Sequence, residues 1–195
     1  MKKTIYSKLL ATLFVVVSGM MFTSCGDDND EPNGNDNAKW NTSYEVKVTF
    51  GEDMFKMADI TAHIAQPNGK VTSEPVLKAS SSWKLTGDKI PDKAGILFTF
   101  VPKKDVTPDN LYRVEIYGSI TATSFKNGVE FSSQPRVYSN SMSIKGSQVE
   151  KYFTDRAVAL VLSIDEDGDV NYANAEDFDF GLNGFWKWLA GVLPD

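Results

Sequence analysis

From Tyr44 to Phe50 the chain alternates strictly, with Tyr44, Val46, Val48 and Phe50 separated by Glu45, Lys47 and Thr49. Successive side chains of an extended backbone point to opposite faces, so this pattern predicts a half-buried antiparallel strand. The alternation returns from Asp59 to Ala65, where Ile60, Ala62 and Ile64 face inward and His63 falls on the outer face as a solvated residue. Between these runs, Met54, Phe55 and Met57 lie on a loop or single helical turn placed to plug the core. Pro67-Asn68-Gly69-Lys70 is a turn signal. Val71 to Lys78 and Ser82 to Leu85 are weaker strand candidates, and a turn from Gly87 to Lys93 leads into the next strand. There Ile96, Phe98 and Phe100 share one face while Leu97 and Val101 occupy the other, the mark of a strand covered on both sides.

Further on, Tyr112, Val114 and Ile116 alternate with Arg113, Glu115 and Tyr117, and Ile120 to Phe125 leads to a hairpin turn at Asn127-Gly128. Pro135 interrupts the returning strand, so Arg136 to Ile144 reads as an edge strand or loop. Ser147-Gln148-Val149-Glu150 has capping-box spacing, ahead of a short helical turn with Val149, Tyr152 and Phe153 on one face. Arg156 to Ile164 is a second mid-sheet strand, Asp165 to Asp169 turns into Val170-Asn171-Tyr172, and the chain closes through Phe178, Phe180 and Leu182 into an apolar tail. Short strands with turns roughly every ten residues predict an all-β antiparallel sandwich or barrel, and a chain longer than a seven-strand domain needs leaves an enlarged sandwich, a permuted strand order or a Greek-key barrel to absorb the excess. A short C-terminal apolar helix or cap completes the expected fold.

The first 24 residues stand outside this pattern. Lys2, Lys3 and Lys8 precede an apolar run from Leu9 to Phe22, the layout of a signal peptide; the run is shorter than the roughly 20 residues needed to span hydrocarbon. Cys25 is the only cysteine, and Phe22-Thr23-Ser24-Cys25 resembles a bacterial lipoprotein cleavage box, with Phe22 in the place of the usual leucine. The resemblance implies that Cys25 becomes a lipidated first residue anchored in the outer membrane. A stray thiol or an intermolecular disulfide is the alternative. The acidic, apolar-free stretch from Gly26 to Asn37 reads as a disordered tether, and its start resembles the export signal of surface-exposed lipoproteins in some Gram-negative bacteria. The 14 residues from 26 to 39 reach at most about 50 Å when extended. The expected organisation is therefore a signal peptide (1–24), a lipidated cysteine and tether (25–41) and a single domain (42–195).

Without its leader the chain has 17 basic against 26 acidic residues, a net charge of −9, and no clustered run of Lys or Arg, which argues against nucleic acid as a partner.

Around Tyr112 the spacing carries a second resemblance. Val106, Pro108 and Val114 stand six before, four before and two after the tyrosine, as in the tyrosine corner of fibronectin type III and bacterial immunoglobulin-like domains, and Phe100-Val101-Pro102 looks like the strand end preceding that corner. The resemblance covers about residues 44 to 125 and implies that the Tyr112 ring packs under a crossing between two sheets while its hydroxyl bonds backbone a few residues upstream. A tyrosine packed within an ordinary strand is the other reading.

Candidate chemistry is sparse. A Ser/His/Asp triad has only His63 as its base, Cys/His zinc sites lack ligands, and no glycine-rich phosphate loop appears. The D-x-D-G-x-V-N core formed by Asp165, Asp167, Gly168, Asp169, Val170 and Asn171 resembles the calcium loop of EF-hands and dockerins. In that frame Asp165, Asp167 and Asn171 would be side-chain ligands and Asp169 would offer its carbonyl, but Ser163 and Asn174 stand where the opening and closing acids belong. A bare hairpin turn uses the same residues without calcium. In the tail, Phe185, Trp188, Leu189, Val192 and Leu193 fall at helical spacing, and Trp186 and Trp188 suit a membrane-interface anchor, a sugar-stacking platform or a packed cap. Together these features point to a non-catalytic, surface-anchored lipoprotein with an Ig-like binding or structural module, in adhesion or glycan capture. A carboxylate-based hydrolase and a lipid or small-ligand carrier with a barrel cavity are the alternatives.

Overall fold

A computed structural model describes residues 38–154 and 156–182. Cys25, the leader, most of the tether, and the tail bearing Trp186 and Trp188 lie outside the described residues. The described chain is an all-β sandwich of nine antiparallel strands in two sheets. β1 (Trp40–Phe50), β4 (Ser80–Gly87), β6 (Leu111–Lys126) and β7 (Val129–Lys145) form one sheet in the order β4-β1-β6-β7. β2 (Ala58–Ala65), β3 (Val71–Pro75), β5 (Asp92–Pro102), β8 (Ala157–Ile164) and β9 (Val170–Tyr172) form the other, in the order β3-β2-β5-β8-β9. Two helical turns, α1 (Glu52–Met57) and α2 (Val149–Thr154), fill the ends.

The alternating sets meet between the sheets. Tyr44, Val46, Val48 and Phe50 from β1 and Ile96, Phe98 and Phe100 from β5 are buried, with Phe50 edge-on to Phe98 at 5.4 Å between ring centroids. Met54 and Met57 of α1 are fully buried beneath them, and Val149 and Phe153 of α2 close the core from the other connection. Full burial of side chains of this size stabilises by about 1.5–3 kcal/mol each.

Several expectations are corrected. β1 begins at Trp40, inside the stretch assigned to the tether, because Trp40 packs edge-on against Phe131 at 5.2 Å. Pro135 does not interrupt β7, which runs 17 residues through it; as an edge strand paired only with β6, it loses no ladder bond on its free side. The box before α2 is formed by Gln148, whose Oε1 accepts the Lys145 N–H at 3.0 Å, and not by Ser147 with Glu150.

His63 does lie on the outer face of its sheet, yet it is buried, at 7 % exposure. Residues 173–182 fold back over the five-stranded sheet, so that Phe178 and Phe180, stacked at 5.7 Å, join Leu97, Val161 and Ala65 in a second apolar cluster on that face. The outward residues of β5 and β2 are thus partly covered by the chain's own last described segment.

The corner links the sheets. β5 ends in the five-stranded sheet and β6 begins in the four-stranded one; between them Val106 packs against the core, and the Tyr112 hydroxyl accepts the Thr107 N–H at 3.2 Å. Val114 is fully buried, whereas Pro108 is exposed and its carbonyl accepts the Ser147 N–H at 3.0 Å. By pairing, β1, β6 and β7 take the places of the C, F and G strands of an immunoglobulin-like sandwich, with β5 in the place of E. The places of B and A are filled from further along the chain, by the β8–β9 hairpin of residues 157–172.

Candidate functional site

The outward side of the four-stranded sheet carries mostly hydroxyls. Register places them in rows across the strands: Thr86, Ser43, Thr123 and Ser133 in one, and Lys84, Glu45, Thr121 and Pro135 in the next. Thr123 and Ser133 are hydrogen-bonded at 3.0 Å, and Lys84 reaches Glu45 at 3.6 Å. At the end of these rows a bulge between Ser124 and Phe125 opens the β6–β7 hairpin and sets the half-buried Phe125 beside Asn41 and Glu130. The β2–β3 turn (Pro67, Asn68) and the β4–β5 loop (Asp88, Lys89) wall the same end, enclosing a groove of about 1090 Å³. Among the described residues the hydroxyls of Ser43, Thr86 and Thr121 have no side-chain hydrogen-bond partner, so their bonding capacity faces the groove.

Asp92, the first residue of β5, lines the inner end of the groove at 9 % exposure. Its Oδ2 accepts from the Thr42 hydroxyl at 2.6 Å and its Oδ1 from the Tyr44 hydroxyl. Burial pushes the Asp92 carboxyl above its ordinary range, against the two hydroxyl hydrogen bonds, which favour the charged form. Tyr44 is likewise pushed up, first by burial and then by the neighbouring Asp92. Gly87 packs directly over this pair, since a Cβ there would collide with Asp92 and Thr42. Both Asp92 oxygens are therefore engaged by β1, and the carboxyl ties the two sheets together at the mouth of the sandwich. Sequence reading passes over Asp92 because it lies inside a stretch that scans as a turn; only its register opposite the Thr42–Tyr44 strand end reveals it.

The calcium-like segment is the hairpin turn between β8 and β9. The Asp165 carboxylate accepts the N–H groups of Asp167 at 3.0 Å and Asp169 at 2.9 Å, and the Asn171 amide at 2.8 Å. What desolvation there is opposes ionisation of Asp165, but these bonds outweigh it and hold the carboxyl below its ordinary value. The Asp169 carbonyl accepts from the Asp165 N–H and from the Asn171 amide. Asn171 thus presents its donor side to Asp165, and the Asp165 carboxylate and the Asp169 carbonyl, two of the groups assigned to a cation by the calcium frame, accept from the turn's own donors. Among the described residues no group of three or more His, Cys, Asp or Glu is placed to hold a metal ion.

His63 has two hydroxyl partners that the sequence did not single out: Ser73 on β3 at 2.8 Å from Nδ1 and Thr99 on β5 at 2.9 Å from Nε2. Burial lowers the His63 pKa. The second nitrogen meets a hydroxyl where a triad would place a carboxylate, so the pair lacks the group that orients and stabilises a catalytic imidazolium. No protein-family model matches the chain, and no curated protein or solved structure is significantly similar to it.

Proposed function

We propose that the chain is a non-catalytic lipoprotein, anchored through Cys25 in the outer membrane and exposed at the cell surface, whose sandwich binds a partner in adhesion or glycan capture. The carrying observation is the groove on the outer face of the four-stranded sheet, with unpartnered hydroxyls set on paired strands. The engagement of both Asp92 oxygens by Thr42 and Tyr44 supports a structural part for the most perturbed acid in that groove. The lipoprotein resemblance of Phe22-Thr23-Ser24-Cys25 and the acidic residues after it support the anchor.

Two measurements test the reading. Expressed in a Gram-negative host, the wild-type chain is expected in the outer-membrane fraction and accessible to protease on intact cells, and Cys25→Ala releases it. Cells bearing the chain are expected to attach to at least one of immobilised mucin, matrix protein or polysaccharide, and Thr121→Arg, which fills the groove with a charged side chain, abolishes that attachment. Equal attachment with and without the chain on every surface overturns the binding role.

One observation favours a hydrolase instead: a carboxyl of raised pKa in a cleft fits a general acid. Turnover of a glycoside by the wild-type chain that Asp92→Asn abolishes is the result that selects this reading.

A further inference from the structure

The groove has a lining that narrows the chemical class of its ligand, an inference that rests on the binding-module reading above. Its floor offers hydroxyls that both donate and accept, those of Ser43, Thr86 and Thr121, and among the described lining residues the apolar side chains are only Pro67 and Phe125. One aromatic ring, Phe125, stands at the edge of that floor, half-exposed. A pyranose ring has the complementary construction: an apolar C–H face that packs on an aromatic ring, rimmed by hydroxyls that donate and accept.

Charge narrows the class further. Glu45, Asp88, Asp92 and Glu130 line the groove against Lys84 and Lys89, and Lys84 is already paired with Glu45. A sulfated or uronate polymer would bring like charge into this acidic surplus. Size argues for a chain of sugars: at about 1090 Å³ the groove exceeds the roughly 300–1,000 Å³ typical of small-molecule pockets, and it is open along the sheet.

We infer that the groove binds a neutral polysaccharide laid across β4, β1 and β6, one ring stacking on Phe125 and adjoining rings hydrogen-bonding to Ser43, Thr86 and Thr121. The experiment is affinity electrophoresis of the full-length chain in detergent, through gels containing galactomannan, xylan, mixed-linkage β-glucan or glycogen, with polygalacturonate and heparin as anionic arms. At least one neutral polymer is expected to retard the chain, and neither anionic polymer to do so. Phe125→Ala weakens the interaction about tenfold or more, Phe125→Trp retains it, and Thr121→Val weakens it. Val101→Ala, on the other sheet, leaves it unchanged; melting curves confirm that each variant is folded.

Retardation by a neutral polymer that survives both Phe125→Ala and Thr121→Val places the ligand elsewhere and overturns the site. Retardation by the anionic polymers alone overturns the class, and no retardation by any polymer overturns the proposal outright. In each case the binding-module reading is judged separately, by the attachment of cells to mucin and matrix protein.

Discussion

Tyr112 and Asp92 show how single polar atoms fix this sandwich. The Tyr112 hydroxyl holds the backbone of the β5–β6 connection through Thr107, so Tyr112→Phe is expected to destabilise by about 0.5–1.5 kcal/mol in urea titrations, the usual net worth of one such bond. Asp92 adds a pH dependence. Its folded pKa is raised from an ordinary 3.8, so between 3.8 and the raised value the native chain binds more protons than the unfolded one. Its contribution is fully present below the unfolded value and is lost as pH rises through the folded value. Asp92→Asn is therefore expected to remove a downward slope of stability on the alkaline side of 3.8, read as urea midpoints compared at several pH values.

Among the elements, the β8–β9 turn is the most tightly specified. Gly168 has a φ of +90°, its carbonyl accepts from the buried Ser124 hydroxyl at 2.6 Å, and a Cβ there would strike the Trp40 ring. Gly168→Ala combines left-handed strain of about 1–2 kcal/mol with that collision, and a loss of at least about 2 kcal/mol in chemical denaturation is expected. Because Asp165 caps the turn with its own carboxylate, Asp165→Ala is expected to lower the melting temperature equally in EDTA and in calcium. A loss confined to calcium-loaded protein would instead make the turn a metal loop. These elements also show where sequence reading succeeds. Alternation locates β1, β2 and β6, a run apolar on both faces locates β5, and Asn127-Gly128 supplies the two consecutive positive-φ residues that a tight hairpin needs. It fails where distant segments decide the outcome. Alternation places His63 on an outer face, but its hydroxyl partners, Ser73 of β3 and Thr99 of β5, become neighbours only through register. The groove is hidden for the same reason, since its hydroxyls come from β4, β1 and β6 and become neighbours only through register.

At the scale of the whole molecule, the last described segment forms a partial third layer. Phe180 is 1 % exposed and stacks with Phe178 above Leu97 and Val161, so Phe180→Ala is expected to destabilise by about 3–5 kcal/mol, measured by urea denaturation. An effect near zero would mean that this layer contributes nothing to the main cooperative unit. The strand order has a kinetic consequence as well. β1 sits between β4 and β6, and its partners span residues 80–126, so the first strand of the sandwich has no neighbour in its own sheet until the chain beyond it has been delivered. Long-range pairings of this kind are closed late and slowly, on the millisecond-to-second scale of all-β domains. A chain of this order leaves β1 as an unpaired edge on both sides until residues 80–126 close on it, so in a chain that emerges from its N-terminus the first strand is the one that waits.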